Sequence, residues 1–389
     1  MGASRWSVFG ALSAVYFFLN LSTFTSLGVV IYPIAQDLHW SMTAAGFSFS
    51  LLGVACGLSS PLPALAMRAW GGRLTMVSGL VLLLTGFLTA AMAAGIGQFY
   101  LAMVLIGCGF SLSGNIPGVE LIAKWFPQAA GRHIGFYLML GGLGAALGAP
   151  IVDALVNGGL GWRGHWRMMA AISALLGAVS MILVRDAEAA PAEGRSGTIR
   201  DAIVTPQFLV TAAAMTAAMA SLTTASSVLV GHLVKLGATP SQAAYDFGLI
   251  ALGATLVKGV TGRLCEKLAS TSILAAGLIL LAVGCLVLAV ADNDVLRHGG
   301  AALFGIGFGS AYVAGTVVLI EFFGAETGAR ILSMVWMFTT VAAAGPLLAG
   351  VIADATGSFA PIFRIYAAGL VLIAVPAFFM RLPRTAASG

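Results

Sequence analysis

Apolar residues run along this chain in stretches of about 20, the length that crosses a bilayer as a helix, separated by short joints rich in Gly, Pro, Arg and Asp. The pattern predicts twelve transmembrane helices, near residues 7–34, 42–67, 74–94, 98–124, 133–158, 165–184, 205–235, 242–266, 271–291, 298–323, 329–352 and 360–380. The runs are too long and too continuous for tilted barrel strands. The first is longer than a signal-peptide core and lacks a small-residue cleavage pattern after it, so it is read as a span.

The one hydrophilic connector of any length, Arg185 to Arg200, follows the sixth span and holds Asp186, Glu188, Pro191, Glu193 and Arg195. It reads as a linker between halves. A weak repeat agrees: Gly107 and Gly109 recur as Gly307 and Gly309, Trp125-Phe126 as Phe322-Phe323, Gly131-Arg132 around Gly328 to Arg330, and Asp153 as Asp354. An offset held across two spans implies a duplicated unit related by an axis along the membrane normal. The expected fold is therefore an all-α membrane protein of two pseudo-symmetric six-helix bundles, residues 1–184 and 205–389, joined by a cytoplasmic linker at 185–204.

Composition narrows the class. With 59% hydrophobic residues, 8% charged residues and a mean hydropathy of +1.00, a water-soluble globule is excluded on ordinary base rates. The net charge of +5 reflects orientation. With the N-terminus inside, thirteen cations fall on the cytoplasmic side and five (Arg163, Arg167, Lys235, Arg297 and Arg364) opposite, which places both termini in the cytoplasm. The expected location is a plasma membrane, in bacteria the inner membrane, with the lipid bilayer as surroundings and a monomer as the unit. Trp6, Trp40, Trp70, Trp125, Trp162 and Trp166 fall near span ends as interfacial anchors, and His39, His133, His165 and His298 do the same. Cys56, Cys108, Cys265 and Cys285 are isolated in apolar helices, which implies no disulfide and no metal site. No basic cluster with interleaved aromatics suggests nucleic acid. No nucleophile elbow, metal-ligand spacing or phosphate-cradling loop suggests an enzyme, and no cofactor is implied.

The remaining cation, Lys258, lies inside an apolar run. A Lys at mid-membrane costs about 2.5–3.5 kcal/mol on insertion scales, so it faces a wet cavity or a partner. Ala251, Ala254, Thr255, Thr261 and Gly262 share its face while Leu256, Val260 and Leu264 lie elsewhere. A small, partly polar stripe with a cation at its centre reads as one wall of an anion site. Ser111 and Asn115 lie four apart in the fourth span, where Gly114 and Pro117 loosen the helix. Tyr312 and Thr316 share a face of the tenth, Asn20 gives the first span polarity, and Trp336 is the tryptophan at mid-membrane. His232 reads as a pocket-rim or interfacial residue. For the hydroxyls among these residues the competing reading is packing or a bond to their own backbone, the common fate of buried Ser and Thr in membrane helices.

Several stretches carry a family resemblance. Arg68-Ala69-Trp70-Gly71-Gly72-Arg73, between spans two and three, resembles the end of the glycine and arginine signature loop of the major facilitator superfamily. Gly262-Arg263-Leu264-Cys265-Glu266-Lys267 resembles its second copy. Lys124-Trp125-Phe126-Pro127, with Gly131-Arg132 and Gly141, Gly142, Gly144 and Gly148, is similar to the start of the fifth span in the monocarboxylate transporter group. Gly161-Trp162-Arg163 with Trp166-Arg167 resembles the start of the sixth span there and in oxalate and formate exchangers. The resemblance implies the major facilitator fold, with spans 1, 4, 7 and 10 central. It also implies that the cation four residues before Gly262, an arginine in monocarboxylate transporters and Lys258 in this chain, binds the substrate carboxylate. Lys is a point charge without arginine's planar fork, so a two-pronged grip is not expected.

The expected function is secondary transport of a small organic monocarboxylate anion of the lactate or pyruvate kind, with proton symport by alternating access. Anion exchange of the oxalate and formate type stands as an alternative, and export of a drug or metabolite as a third. Candidate proton carriers are Lys258 itself, Glu120 in span four and Glu321 in span ten. Glu120 has Lys124 at i+4, where an ion pair is the structural reading. Asp153 and Asp354 occupy equivalent span ends and read as helix caps or loop ties.

Overall fold

The computed structural model describes residues 5–126, 130–186, 205–265, 267–323, 335 and 340–380, with the side chains of Asn115 and residues 130–132 outside that description. All regular elements among them are helical: α1 (Arg5–Asn20), a π-turn (Leu21–Thr25), α2 (Ser26–Asp37), α3 (Met42–Leu58), α4 (Leu62–Ala91), α5 (Ile96–Ser113), α6 (Asn115–Trp125) and α7 (Ala130–Leu155). A second π-turn (Val156–Leu160) leads to α8 (Gly161–Leu183), followed by α9 (Pro206–Lys235), α10 (Pro240–Cys265), α11 (Ser270–Leu288), α12 (Asp294–Phe323), a short 3₁₀ turn (Thr340–Ala343), α13 (Ala344–Thr356) and α14 (Ala360–Phe379).

Among the described residues, nine stretches are long and apolar enough to cross a membrane. One, His133–Leu183, is 51 residues long and reverses at Gly159 and Gly161, whose φ angles are 106° and 64°. That region holds the expected fifth and sixth spans. The expected second and eleventh spans meet shorter apolar helices, Met42–Leu58 and Thr340–Thr356. The start of the expected eleventh span and most of the linker at 185–204 lie outside the described residues.

Three interruptions depart from uniform spans, each with a local cause. The second span stops at Leu58 because Pro61 and Pro63 lack the N–H groups that would continue the ladder. The chain restarts at Leu62 and carries the signature stretch Arg68 to Arg73 as helix, broken only at Gly71 with φ 83°. That conformation suits glycine, and the Asp186 carboxylate accepts from the adjacent Gly72 amide. Trp125 Nε1 donates to the Arg185 carbonyl at 2.8 Å, so the start of the linker is tied to the first half. The fourth span breaks at Gly114 (φ −90°, ψ −130°), beside the predicted weak point, and Tyr137 Oη donates to the Gly114 carbonyl at 3.0 Å. In the first span the π-turn carries a surplus residue, and Ser26 Oγ satisfies the Leu21 carbonyl five residues back at 2.9 Å.

Early and late helices meet along three seams: α3 with α13, α7 with α10, and α2 with α9. The face where α1 begins and α14 ends is called the terminal face below. At the opposite, far face, Asp354 at the end of α13 accepts from Met42 N at 3.0 Å, Thr43 N at 2.8 Å and Thr43 Oγ1 at 2.5 Å. It caps the first turn of α3 across the seam, the role read from its position. Its sequence counterpart Asp153 instead accepts from Asn157 Nδ2 at 2.7 Å. Ser50 Oγ accepts from Leu347 N at 3.0 Å, two turns further in. A Cβ at Gly46 would run into the Pro346 carbonyl, and one at Gly350 into Met42 and Thr43. These helices lie backbone to backbone, the approach that small residues permit in membranes.

Several predicted interfacial residues are core residues instead. His165 is fully buried with Nε2 3.1 Å from Ser26 Oγ. Trp166 is buried and stacked on Phe87 at 5.5 Å, and Trp162 Nε1 donates to Asp37 at 3.0 Å. The turn at Gly159 to Gly161 tucks the start of α8 into the bundle, where hydropathy alone sees only a span end. His232, read as a rim residue, is buried against Phe363, with Nε2 2.9 Å from the Leu288 carbonyl.

His298 is exposed near the start of α12, as a span-end residue should be, and its Nδ1 lies 2.5 Å from Asp246 Oδ1. The fully buried Asp246 also accepts from Arg297 Nε at 3.1 Å, and Arg297 is itself nearly inaccessible. Asp246→Asn leaves the buried Arg297 guanidinium with Asp294 as its remaining carboxylate partner, so the cost falls at or below the about 3–5 kcal/mol typical of removing one partner of a buried pair. A thermal melt in detergent is expected to fall by several degrees, and an unchanged melt would show that this pair adds nothing.

Candidate functional site

Lys258 sits where the α7–α10 seam ends. Nearer the far face, a Cβ on Gly248 would strike the Ala146 carbonyl, and one on Gly142 would strike Thr255. Seven residues further along each helix, about 10 Å, Gly135 and Gly262 have nothing within 4 Å of a Cβ position. The two helices therefore part just below Thr255. The cleft between them opens toward the terminal face, with Lys258 one turn beyond the last contact.

The direction of the Lys258 side chain follows from its helix. Ala254, Val257 and Thr261 face α12, where Ala254 and Val257 crowd Gly309 and Thr261 donates to Ser310 at 3.3 Å. Thr255 faces α7. Lys258 lies between these two directions, on the face that also carries Phe247, which touches Gly28 of α2. Leu256 and Val260, on the outer surface, are exposed. The ammonium thus points to the molecular interior, as its small-residue stripe predicts. Solvent reaches it, although protein surrounds it at longer range.

Its nearest recorded partner is aromatic. Nζ stands 5.2 Å from the ring centroid of Tyr312, within the range of a cation–π contact. Among the described residues no carboxylate lies within 4 Å of it. The π face offsets part of the cost of holding a charge away from bulk water and leaves the three N–H donors able to meet an anion. Tyr312 also packs on Phe308 at 6.1 Å, and its carbonyl accepts from Thr316 Oγ1 at 2.9 Å.

The opposing wall comes from α1 and α7. Asn20 Nδ2 donates to the Tyr16 carbonyl at 2.8 Å, and both side chains press on Gly141, where a Cβ would collide with the Tyr16 ring. Gly142, the next residue, touches Thr255. Two adjacent glycines therefore link Tyr16 and Asn20 through α7 to Thr255, one turn before Lys258. Tyr16 stacks on Tyr137 with centroids 4.3 Å apart and planes at 19°.

The structure thus gathers Lys258, Tyr312, Thr316 and Asn20 around one cleft. Ser111 is buried in α5, and no contact described here joins it to Lys258. Asn115 opens α6, but its side chain, like all of Trp336, lies outside the described residues. Glu120 lies with Lys124 Nζ at 2.7 Å, and Glu321 accepts from the Ser270 hydroxyl. Glu120 lies in the middle of α6 and Glu321 two residues from the end of α12, and neither forms an ion pair with Lys258. Sequence reasoning missed Tyr16 and Tyr137. The spacing of Tyr16 and Asn20, four apart on one helix face, was the available signal.

Comparison with known proteins matches this architecture. A "2-nitroimidazole transporter" apart, the relatives include an "Uncharacterized transporter YycB" of Bacillus subtilis, 34% identical over 41% of this chain and 39% of the relative. The chain thus spans about two fifths of that protein's length. An "MFS-type efflux pump" of Mycolicibacterium smegmatis is 26% identical over 90% of this chain and 84% of the relative. "Monocarboxylate transporter 11" of Homo sapiens is 26% identical over 44% and 36%. Among solved structures, a bacterial homologue of the human lysosomal transporter Spinster, in an inward-facing and occupied conformation, superposes with a TM-score of 0.83 at 15% identity, covering 97% of each chain. At that identity the likeness concerns the fold alone. The model of the Major Facilitator Superfamily matches residues 12–338, and with the helical seams and cleft described above it shows that this chain belongs to that family of transporters.

Proposed function

We propose that this transporter carries a small organic monocarboxylate anion, bound in the cleft by Lys258, and that it does so by proton symport with alternating access. The observation that carries this reading is the Lys258 ammonium, directed inward onto the Tyr312 ring with no carboxylate beside it among the described residues. A charge held that way has its electrostatic demand only partly met, and an anionic guest completes it. Asn20 and Thr316 stand on the neighbouring helices as further polar side chains, each bonded to a carbonyl of its own helix. The partial likeness to a human monocarboxylate transporter supports the same class.

In this reading residues 1–184 and 205–389 act as two bodies that rock about the site. The terminal face is cytoplasmic by the distribution of Lys and Arg, so the present shape is inward-open with the far face latched by Asp354. Neutralising Lys258 with a carboxylate lowers the cost of enclosing it, which links occupancy to closure. A proton travels with the anion. Lys258 is the group best placed to exchange it, because Glu120 is paired with Lys124 and Glu321 is bonded by Ser270. Export of an apolar compound is the second reading, favoured by the long alignment with an efflux pump.

Uptake of labelled carboxylates into proteoliposomes, with and without an imposed pH gradient, tests the proposal. Accumulation driven by an acid outside is expected. Uptake that ignores the gradient and requires internal carboxylate would replace symport with exchange, and failure of every carboxylate would favour export.

A further inference from the structure

Asp153 is a buried acid with no part so far in the transport cycle. It lies near the far end of α7, 6% exposed, and its Oδ1 accepts from Asn157 Nδ2 at 2.7 Å. Among the described residues no Lys, Arg or His comes within 4 Å of its carboxylate. It lines a largely enclosed cavity of about 30 Å³, room for one water. Both halves build that cavity. Asp153 and Asn157 stand on the early side with Tyr32 of α2, while Val230 and Val234 of α9 and Pro240 of α10 close it from the late side.

The charged groups on the surrounding helices are engaged elsewhere. On α9, His232 turns to the Leu288 carbonyl and Lys235 Nζ to the Gly357 carbonyl. Asp37 of α2 is held by Trp162 and Arg163 of α8, His165 of α8 lies against Ser26, and Asp246 of α10 is held by Arg297. Tyr32 is thus the one titratable neighbour of Asp153 in the described cavity wall.

In the alternating-access reading, a carboxylate at this position meets two surroundings. When the halves part at the far face, the α2–α9 and α7–α10 seams open and water reaches it. When they close, both halves shut it in without a cation, where an anion is costly and a neutral acid is not. We infer that Asp153 is a proton-binding site of the outer seam, taking a proton from the far side as the seam closes and returning it to that side when the seam reopens. Acid on the far side therefore favours a closed far face. This proton sets the timing of closure and does not cross, so Lys258 keeps its own role. The inference rests on the alternating-access reading and adds a site to it.

The test follows the far face directly, by spin-label distance measurement between Gly158→Cys and Ser241→Cys, exposed positions on either side of the seam, in the full-length protein with its four native cysteines replaced. As the pH is lowered from about 8 to about 5, the population with the longer distance is expected to fall by up to about ten-fold per pH unit, the slope of one linked proton. Asp153→Asn, neutral throughout, should favour the closed far face at both ends of that range and lose the slope, and Asp153→Glu should keep it. If Asp153→Asn does not fold, Asp153→Ser takes its place. A slope unchanged in the neutral variant, or missing from the wild type while the far face still opens, overturns the inference and leaves alternating access standing. A single separation under every condition, with and without carboxylate, sinks both.

Discussion

Lys258→Ala is expected to reduce carboxylate uptake to the level of empty proteoliposomes, while the purified variant keeps its elution profile and melting temperature. Removing the ammonium takes away the charge that recognises the anion. It also removes a group that costs about 2.5–3.5 kcal/mol to hold at membrane depth, so the fold has nothing to lose by the change. Lys258→Arg separates charge from geometry. It should retain binding but alter turnover, because a guanidinium stays protonated and makes a planar two-point contact where the ammonium makes a single one. If proton movement passes through Lys258, the arginine variant loses its response to the pH gradient while exchange of internal for external substrate persists. Wild-type uptake by Lys258→Ala would end the assignment.

The second large effect is expected at the α3–α13 seam. Gly46 faces the Pro346 carbonyl with no space for a Cβ, so Gly46→Val forces two backbones apart at the far face. Overpacking of this kind costs about 1–3 kcal/mol, which moves a two-state balance about 5- to 150-fold. The expected result is a transporter held open at the far face and unable to complete its cycle. In a background lacking the four native cysteines, a cysteine at Ser50, which sits against Leu347 N, should react with an impermeant maleimide from that side in Gly46→Val and be protected in the parent. Protection in both proteins would show that the seam does not gate access. Gly46→Ala should give a smaller shift in the same direction.

The parts of this arrangement that could be read from the sequence are those governed by local pattern. The apolar runs reveal the helices, and the cation among small residues marks the interior face of α10, because a charge within an apolar run conflicts with its surroundings wherever it falls. The weak point at Gly114 was legible for the same reason, since glycine and proline act on their own helix. Tyr16 and Tyr137 gave no such signal: aromatic residues in apolar spans look alike whether they pack or bind, and their stack joins helices separated by about 120 positions in the chain. The break at Pro61 was concealed because hydropathy continues across it. The buried positions of His165, Trp162 and Trp166 depend on the reversal at Gly159 and Gly161, which decides whether a span's first turn lies in the headgroups or in the core. The pairing of Asp354 with α3 and of Asp153 with its own helix shows that a duplicated sequence does not dictate duplicated contacts.

The wound-out turn at Leu21–Thr25 has one more implication, for how the first span has come to serve two masters. Its supernumerary residue rotates everything after it by roughly a quarter circle relative to an unbroken spiral, so Tyr16 and Asn20 lie against Gly141 of α7 while Tyr32 lies against Gly231 of α9. Excising one amino acid from this loop would restore regular winding and swing either the α7-facing or the α9-facing portion off target. The same excision from the middle of α14, which carries no such dual duty among the contacts described, would be a matter of packing alone.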